Sequence, residues 1–490
     1  MKASLNKRQR SLLKKIRTAI TANPFSHDRL LADCAITGLT PGSKPSKTTL
    51  LRETVAFAQD CVVTLRENNQ AKVSHYTNTD RKLVDGLFLF VIFHRYIDQL
   101  DQHIRVQITR QSPIPLDCAR EIRQEMTEFG YSSEETGRYI AIFFQLRRAF
   151  YFIKSTLSGD CPSMAELRSR LWNNIFTHDT GLYMELLWNK MEDFSTILNG
   201  ETGTGKGVAA AAIGRSGYIP FDLKKNTFKE SFTRAFLASN LSQIPEQLIE
   251  SELFGHTRGS FTGATRDHAG IFARSSRYGA VFLDEIGELS PHIQVKLLQI
   301  LQERTFTPVG GTTTTKFSGR VIAATNRDIN RLRQQGKFRN DFYYRLCSDT
   351  ITIPALRVRI QENNEELKLL TTHLLKRITG SPNPTLLHKV LEKIKKDIPQ
   401  NYPWHGNVRE LDQCIRSILI SGTCLPADAA HGKAQIDTLQ TILRDNPSIA
   451  RLTGWYCNHL YQQYGTYQQV ARQTGLDRRT VKKYIDQQAL

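Results

Sequence analysis

Apolar and polar positions follow three successive patterns along the chain. Up to about residue 165 the apolar residues recur with a helical period. Leu5, Leu12, Leu13, Ile16 and Ile20 share one face, and Lys7, Arg8, Arg10, Lys14, Lys15 and Arg17 crowd the other, which predicts an amphipathic helix. LVDGLFLFVIFHRYIDQL (83–100) reads as a buried helix. YIAIFFQLRRAFYFIKSTL (139–157) reads as another, with Arg147, Arg148 and Lys154 set against its aromatics. STLSGDCPS (155–163) is punctuated by Ser, Gly and Pro and predicts a linker. From about 190 short, wholly apolar runs take over, each followed by a polar or glycine-rich loop: STILN (195–199), AVFLDE (280–285) and RVIAATN (320–326). Runs without alternation predict strands buried on both faces, as in a parallel sheet covered by helices. After about 360 helical periodicity returns in EELKLLTTHLLKRI (365–378), PTLLHKVLEKIKK (384–396) and NVRELDQCIRSILI (407–420). Residues 421–445 read as a connecting segment and 446–490 as a compact helical piece.

Composition narrows the partners. The 490 residues carry 66 Lys and Arg against 47 Asp and Glu, a formal net charge of +19 that favours a polyanion, nucleic acid before an acidic membrane surface. An apolar content of 40% argues against general disorder. The eight cysteines form no CxxC pair, which argues against a zinc site or a disulfide framework and fits a reducing cytoplasm. His94 and Asp98 stand one helical turn apart but lack the further ligands a metal site needs. The longest apolar run, Leu87 to Phe93, falls well short of the ~20 residues that span a bilayer. The basic N-terminal stretch lacks an apolar core before a small-residue cleavage site, so no signal peptide is expected. These features predict a cytoplasmic protein with no membrane partner.

Chemistry concentrates where the strands end. Gly200, Glu201, Thr202, Gly203, Thr204, Gly205, Lys206 and Gly207 follow a predicted strand and precede the helical VAAAAIG. That context predicts a phosphate-binding loop: glycines let backbone amides curl around phosphate oxygens, the helix N-terminus adds its dipole, and Lys206 supplies a charge. Gly207 stands where such loops carry the Ser or Thr whose hydroxyl holds Mg2+. GAVFLDEIGE (279–288) ends a strand in adjacent carboxylates, Asp284 suited to Mg2+ and Glu285 to polarising a water for ATP hydrolysis. RVIAATN delivers Asn326 to the end of a third strand, facing the terminal phosphate. Arg339 and Arg345 in GKFRNDFYYRL have the spacing of fingers reaching a neighbouring subunit's nucleotide, or of plain surface pairing around Asp341. Arg409 opens a helix in YPWHGNVREL, where it can contact bound phosphate.

Together these segments resemble the AAA+ ATPase domain of bacterial enhancer-binding proteins, the activators of RNA polymerase carrying sigma-54; the resemblance runs from about 190 to 425. ESELFGHTRGSFTGA resembles that family's hallmark loop, GAFTGA, with Ser260 replacing the alanine. The resemblance implies that Gly259, Ser260, Phe261, Thr262, Gly263 and Ala264 contact sigma-54 and that Asn240 couples Glu285 to this loop. It also implies ATP and Mg2+ as ligands and a homo-oligomer, a hexameric ring. Gly207 replaces the family's usual glutamate, and 217–239 is longer and more polar than the usual connection. GTYQQVARQTGLDRRTVKKYIDQ (465–487) resembles the Fis-type helix-turn-helix, implying enhancer DNA as a partner through Arg478, Arg479, Thr480, Lys482 and Lys483. The expected organisation is a mainly helical regulatory domain at 1–165, an AAA+ α/β subdomain at 166–360, a helical lid at 361–425 and a helix-turn-helix at 446–490. The inducing signal is not legible. Two rivals stay open: a generic AAA+ remodeller, against which the GSFTGA loop stands, and a non-hydrolysing DNA-binding repressor, which Gly207 alone favours.

Overall fold

The computed structural model describes residues 4–39, 46–424 and 448–486; the connecting segment expected at 421–445 lies, from residue 425 on, outside the described residues. Two compact units emerge: Met1–His388 with Tyr402–Gln413, and Lys389–Asn401 with Cys414–Leu490.

The first unit opens with α1 (Lys7–Thr21), α2 (His27–Thr37), α3 (Lys47–Glu67), α4 (Asn78–Arg95), α5 (Ile97–Ile108), α6 (Ala119–Glu128), α7 (Ser133–Thr156) and α8 (Pro162–Phe176). Their starts are legible as caps. Asn6 with Gln9 and Ser132 with Glu135 form capping boxes, and Pro162 takes the first turn of α8. The short α9 (Thr180–Leu182) leads to β1 (Thr196–Asn199), after which α10 (Lys206–Gly214) begins.

Two short ribbons, β2 (Phe221–Asp222) with β3 (Thr227–Phe228) and β6 (Thr305–Phe306) with β7 (Thr315–Lys316), stand apart from the main sheet. That sheet has five strands and adds β4 (Phe236–Asn240), β5 (Ala280–Asp284), β8 (Arg320–Thr325) and β9 (Asp349–Thr352) to β1, in the order β4-β5-β8-β1-β9. Every pairing is parallel; Leu198 lies beside Ala324, and Leu283 beside Ala323. Alternate residues serve opposite faces: Leu198, Phe282 and Ile322 join one core, and Ile197, Val281, Leu283 and Val321 the other. The second core is closed by α11 (Glu246–Phe254), α12 (Ile271–Arg274), α13 (Pro291–Glu303), α14 (Ile329–Gln334) and α15 (Asn340–Leu346).

The first core is shared with the N-terminal helices. Leu87, Phe144, Ile153 and Phe176 belong to the same apolar cluster as Ala209, Ile213 and Ile322. The alanines of α10 let α7 and α8 pack directly upon it. Arg148 of α7 is fully buried and donates from Nη1 to the Arg215 carbonyl (2.8 Å) and from Nη2 to the Gly217 carbonyl (2.7 Å), just past the C-terminus of α10. The polar segment 217–239 explains itself here: β2 packs on α7, and Phe228 stacks on Phe144 at 4.2 Å.

The stretch read as a linker, 155–163, is docked. It lies against α16 (Leu356–Glu362) and α17 (Glu366–Thr379). Arg359, paired with Glu366 in a buried bridge, donates to the Ser158 carbonyl (2.6 Å), and Glu366 accepts from the Asp160 amide (3.0 Å). Gly159 has φ +127° and leaves no room for a Cβ against that pair, so the glycine serves close approach rather than flexibility.

Helices α18 (Pro384–Asp397) and α19 (Asn407–Ser421) follow. In the second unit Cys414 and Cys424 form a disulfide, correcting the expectation that the cysteines stay unpaired; a turn after α19 returns the chain upon it, a closure that spacing alone did not reveal. The C-terminal helices α20 (Ile449–Tyr464), α21 (Tyr467–Thr474) and α22 (Arg478–Asp486) bury Cys457, Leu460, Val470, Val481 and Ile485 between them. Gly475, with φ +69°, makes the left-handed cap between α21 and α22. Among the described residues no helix is long and apolar enough to cross a membrane.

Candidate nucleotide site and its flanking loop

The loop 200–207 joins the end of β1 to α10. Gly203 (φ +80°) and Gly205 (φ +103°) occupy the left-handed region that lets the backbone curl. Lys206 is buried, and its Nζ donates to the carbonyls of Gly200 (2.8 Å) and Glu201 (3.2 Å). Thr204 is buried, with its hydroxyl donating to the Glu201 carbonyl (2.8 Å). A Cβ at Gly207 would meet only Phe282, at 3.8 Å, so packing does not demand the glycine; a side chain would fit there.

Opposite, β5 ends at Asp284, one of whose oxygens accepts from the Glu285 amide at 3.1 Å. Glu285 sits at φ +58°, a left-handed conformation uncommon for a residue with a side chain and frequent at functional sites. Between them β8 carries Asn326. Its side chain donates to Thr202 Oγ1 (3.0 Å) and its amide to Glu285 Oε2 (3.3 Å), tying the phosphate loop to the carboxylate. Asn240 ends β4 in register with Asp284, and its side-chain oxygen accepts from the Ser242 amide (3.1 Å) and hydroxyl (2.8 Å), not from a group on Glu285.

Two residues missed in the sequence complete the cradle. Asn407, fully buried, donates to Glu201 Oε2 (3.1 Å) and the Thr202 carbonyl (3.0 Å) and accepts from the Leu356 amide (2.7 Å). Arg357 grips Glu201 with both terminal guanidinium nitrogens, Nη1 and Nη2, and this pair, followed by Asn407, pulls the Glu201 carboxyl down to about 2. The only sequence signal was the GN dipeptide before a helix. Val408 donates to the Gly203 carbonyl (3.1 Å), which sets exposed Arg409 beside the loop.

Arg339 is exposed and pairs with Asp341 at 2.8 Å; Arg345 is exposed and donates from Nε to the Leu301 carbonyl at 2.8 Å. Neither joins the cluster around Lys206 within the chain.

The GSFTGA stretch is a loop between α11 and α12. His256 bridges to His268 and Val309 at its base, and the Gly259 amide donates to the Ala264 carbonyl (2.8 Å) at its neck. Thr262 and Gly263 are exposed, Ala264 is buried, and Phe261 is 39% exposed with its ring edge-on to His256 at 4.9 Å. Ser260 lies against Gly310, its hydroxyl buried without a partner among the described residues.

On α22, Arg478, Arg479, Lys482 and Lys483 are exposed on the outer side of the small three-helix core. Thr480 is engaged locally: its hydroxyl and amide both donate to Asp477, which caps the helix.

Strand order decides the class. With β8 lying between loop-bearing β1 and carboxylate-bearing β5, one residue, Asn326, meets the loop through its side chain and the carboxylate through its backbone amide, and a helical segment closes over the loop; this is the AAA+ type of P-loop core. The "Sigma-54 interaction domain" family matches residues 183–352. The DNA-binding transcriptional regulator NtrC of Azospirillum brasilense is 34% identical over 293 residues, 59% of this chain and 57% of that protein. The transcriptional regulatory protein GlrR of Escherichia coli (strain K12) is 38% identical over 227 residues, 46% and 47% of the two chains. An uncharacterized protein in the HyuA 5' region of Pseudomonas sp. (strain NS671) is 40% identical over 233 residues, 47% of this chain and 72% of its own. The chain carries the sigma-54 interaction domain of the bacterial enhancer-binding proteins. It spans about half the length of the first two of these relatives.

Proposed function

We propose that this protein binds enhancer DNA and uses ATP hydrolysis to remodel the sigma-54 RNA polymerase closed complex into an open one. The observation that carries the proposal is the Thr202–Asn326–Glu285 chain of hydrogen bonds, which joins the phosphate loop to a carboxylate suited to activating water. The substrate's phosphates would lie on the loop, with the first-turn amides of α10 that a helix leaves without internal partners, and Lys206 would turn from its carbonyls toward them. Glu285 would accept the proton of the attacking water as the bond to ADP breaks. Mg2+ fits this donor set. Asp284 keeps one oxygen beyond its bond to Glu285, and the ion needs only one or two protein carboxylates besides water and phosphate, so Gly207 does not exclude it. Mg2+ would neutralise charge on the phosphates.

Phe261 and Thr262 would carry the contact to sigma-54, with Asn240 relaying nucleotide state. Arg345 and Arg339 would serve a neighbouring subunit in a hexameric ring, and Arg409 the phosphate of its own. Residues 1–165 would regulate the ATPase across their shared core, the lid at 361–425 would follow the nucleotide, and α21–α22 would hold DNA; the protein would work in the cytoplasm. One hydrolysis assay tests the pocket and the ring. Lys206→Ala should lose ATP binding, Glu285→Gln should bind without turnover, and Lys206→Ala mixed with Arg345→Ala should regain part of the activity. Normal turnover in either pocket variant contradicts the proposal, and no recovery in mixed rings contradicts the finger.

A further inference from the structure

A cleft of about 740 Å³ lies between the N-terminal helices and the exposed side of α17, floored by the docked segment 157–160. It falls within the ~300–1,000 Å³ of small-molecule sites. Four observations describe what would fill it. Its wall is aromatic: Phe25 stacks on Phe150 at 5.2 Å and meets Trp172 edge-on at 6.0 Å, with Phe90 farther along. Trp172 is 5% exposed, and its indole N–H has no acceptor among the described residues, a buried donor left wanting one. Gly86 sits in mid-α4, where glycine weakens a helix relative to alanine. A Cβ there would make only ordinary contact with Ile20 at 3.8 Å, so packing does not require the glycine, and its bareness widens the cleft.

The fourth observation is charge. Arg29 is neutralised by Asp33 and Arg147 by Asp101, and on the floor Asp160 and Arg168 set opposite charges against each other. Lys154 on one wall and Lys376 on the other are exposed at the rim, and among the described residues neither has a carboxylate partner. Lys154 lies 5.6 Å from the Phe150 ring. His94 lines the same wall edge-on to Phe90 at 4.3 Å; burial and the nearby Arg29 and Arg147 hold it neutral, its pKa pushed down to about 3.

The geometry points to an effector site for an amphipathic organic carboxylate, its apolar body among Phe25, Phe90, Phe150 and Trp172 and its anionic head between Lys154 and Lys376. An occupant touches α17 and the N-terminal bundle together, so it bears on how that helix seats against the docked segment. The site stands independently of nucleotide hydrolysis.

The test uses 1-anilinonaphthalene-8-sulfonate as fluorescent probe on the full chain, without nucleotide, so failure of the ATPase reading leaves it unaffected. One saturable site per chain is expected, emptied by dodecanoate and not by equal dodecan-1-ol. Lys154→Glu with Lys376→Glu, both on exposed side chains, should weaken probe binding at least tenfold with an unchanged circular-dichroism melt, and Gly86→Leu should do the same by filling the wall. Unsaturable binding, unchanged affinity in the folded charge-reversed protein, or displacement by the alcohol as readily as by the acid would overturn the proposal.

Discussion

Arg148 is, with Gln145, a side chain of α7 that fastens the N-terminal bundle to the end of the helix that begins at the phosphate loop. Replacing it by methionine keeps an unbranched apolar body against Phe144 and Phe232, whose rings lie 4.8 and 5.6 Å from the guanidinium. What disappears is a pair of charge-assisted hydrogen bonds to the carbonyls of Arg215 and Gly217. Bonds of that kind contribute about 1.5–3 kcal/mol each, and the two carbonyls would be left buried without donors. The favourable attraction between a cation and the C-terminus of α10 goes as well. Against this stands relief: the guanidinium is fully buried, among the described residues no carboxylate pairs with it, and burial lowers its pKa. The net expectation is a loss of about 3 kcal/mol. With a urea slope of about 3 kcal/mol/M the transition of the first unit should move about 1 M lower. Arg148→Lys, which keeps the charge but not the two-pronged reach, should fall between. Tryptophan fluorescence against urea reads all three proteins. A shift equivalent to less than about 0.5 kcal/mol for the methionine variant would refute the claim that this arginine fastens the junction.

Two further outcomes follow from the site and the C-terminal helices. Glu201 has its pKa lowered from 4.5 to about 2 by Arg357, so the pair contributes stability above pH 4.5 and loses it as pH falls toward 2. Both side chains are about two-fifths exposed, so Arg357→Ala should cost under about 1 kcal/mol, constant above pH 5 and vanishing by pH 2 in acid melts; a cost that grows on acidification contradicts the pairing. Changing Arg478, Arg479, Lys482 and Lys483 to alanine should weaken enhancer binding and flatten its salt dependence, with hydrolysis intact. The log–log slope should fall by about 0.9 for each phosphate no longer neutralised; an unchanged slope assigns the DNA to another surface.

The strands that carry chemistry were legible because they are apolar on both faces: TILN, AVFLD and RVIAAT end within a residue or two of where periodicity put them. The edge strands were not. Phe236–Asn240 and Asp349–Thr352 are partly exposed and mix polar with apolar residues, so no buried run announces them. Lys206, Asp284, Glu285 and Asn326 were singled out by their spacing to a strand end, a local property. Arg357 and Asn407 were missed because their role depends on Glu201, 156 and 206 residues away in sequence. The docking of 155–163 was hidden for a related reason: Ser, Gly and Pro mark a turn equally well when it is buried, and only the Arg359–Glu366 pair reveals why glycine stands at 159. The Cys414–Cys424 bridge likewise depends on a chain reversal that spacing does not encode.

On the proposed function, hydrolysis at Glu285 is transmitted to sigma-54 through Phe261 and Thr262, which stand exposed on their loop. The most direct measurement is open-complex formation by sigma-54 polymerase on a supercoiled promoter with ATP, run beside ATP turnover in the same samples. Wild-type protein should open the promoter, whereas Phe261→Ala and Thr262→Ala should hydrolyse ATP within a few-fold of wild type, yet leave the promoter closed. Promoter opening by both variants at the wild-type rate would contradict the account, leaving the loop a surface feature and the ATPase a remodeller of something else.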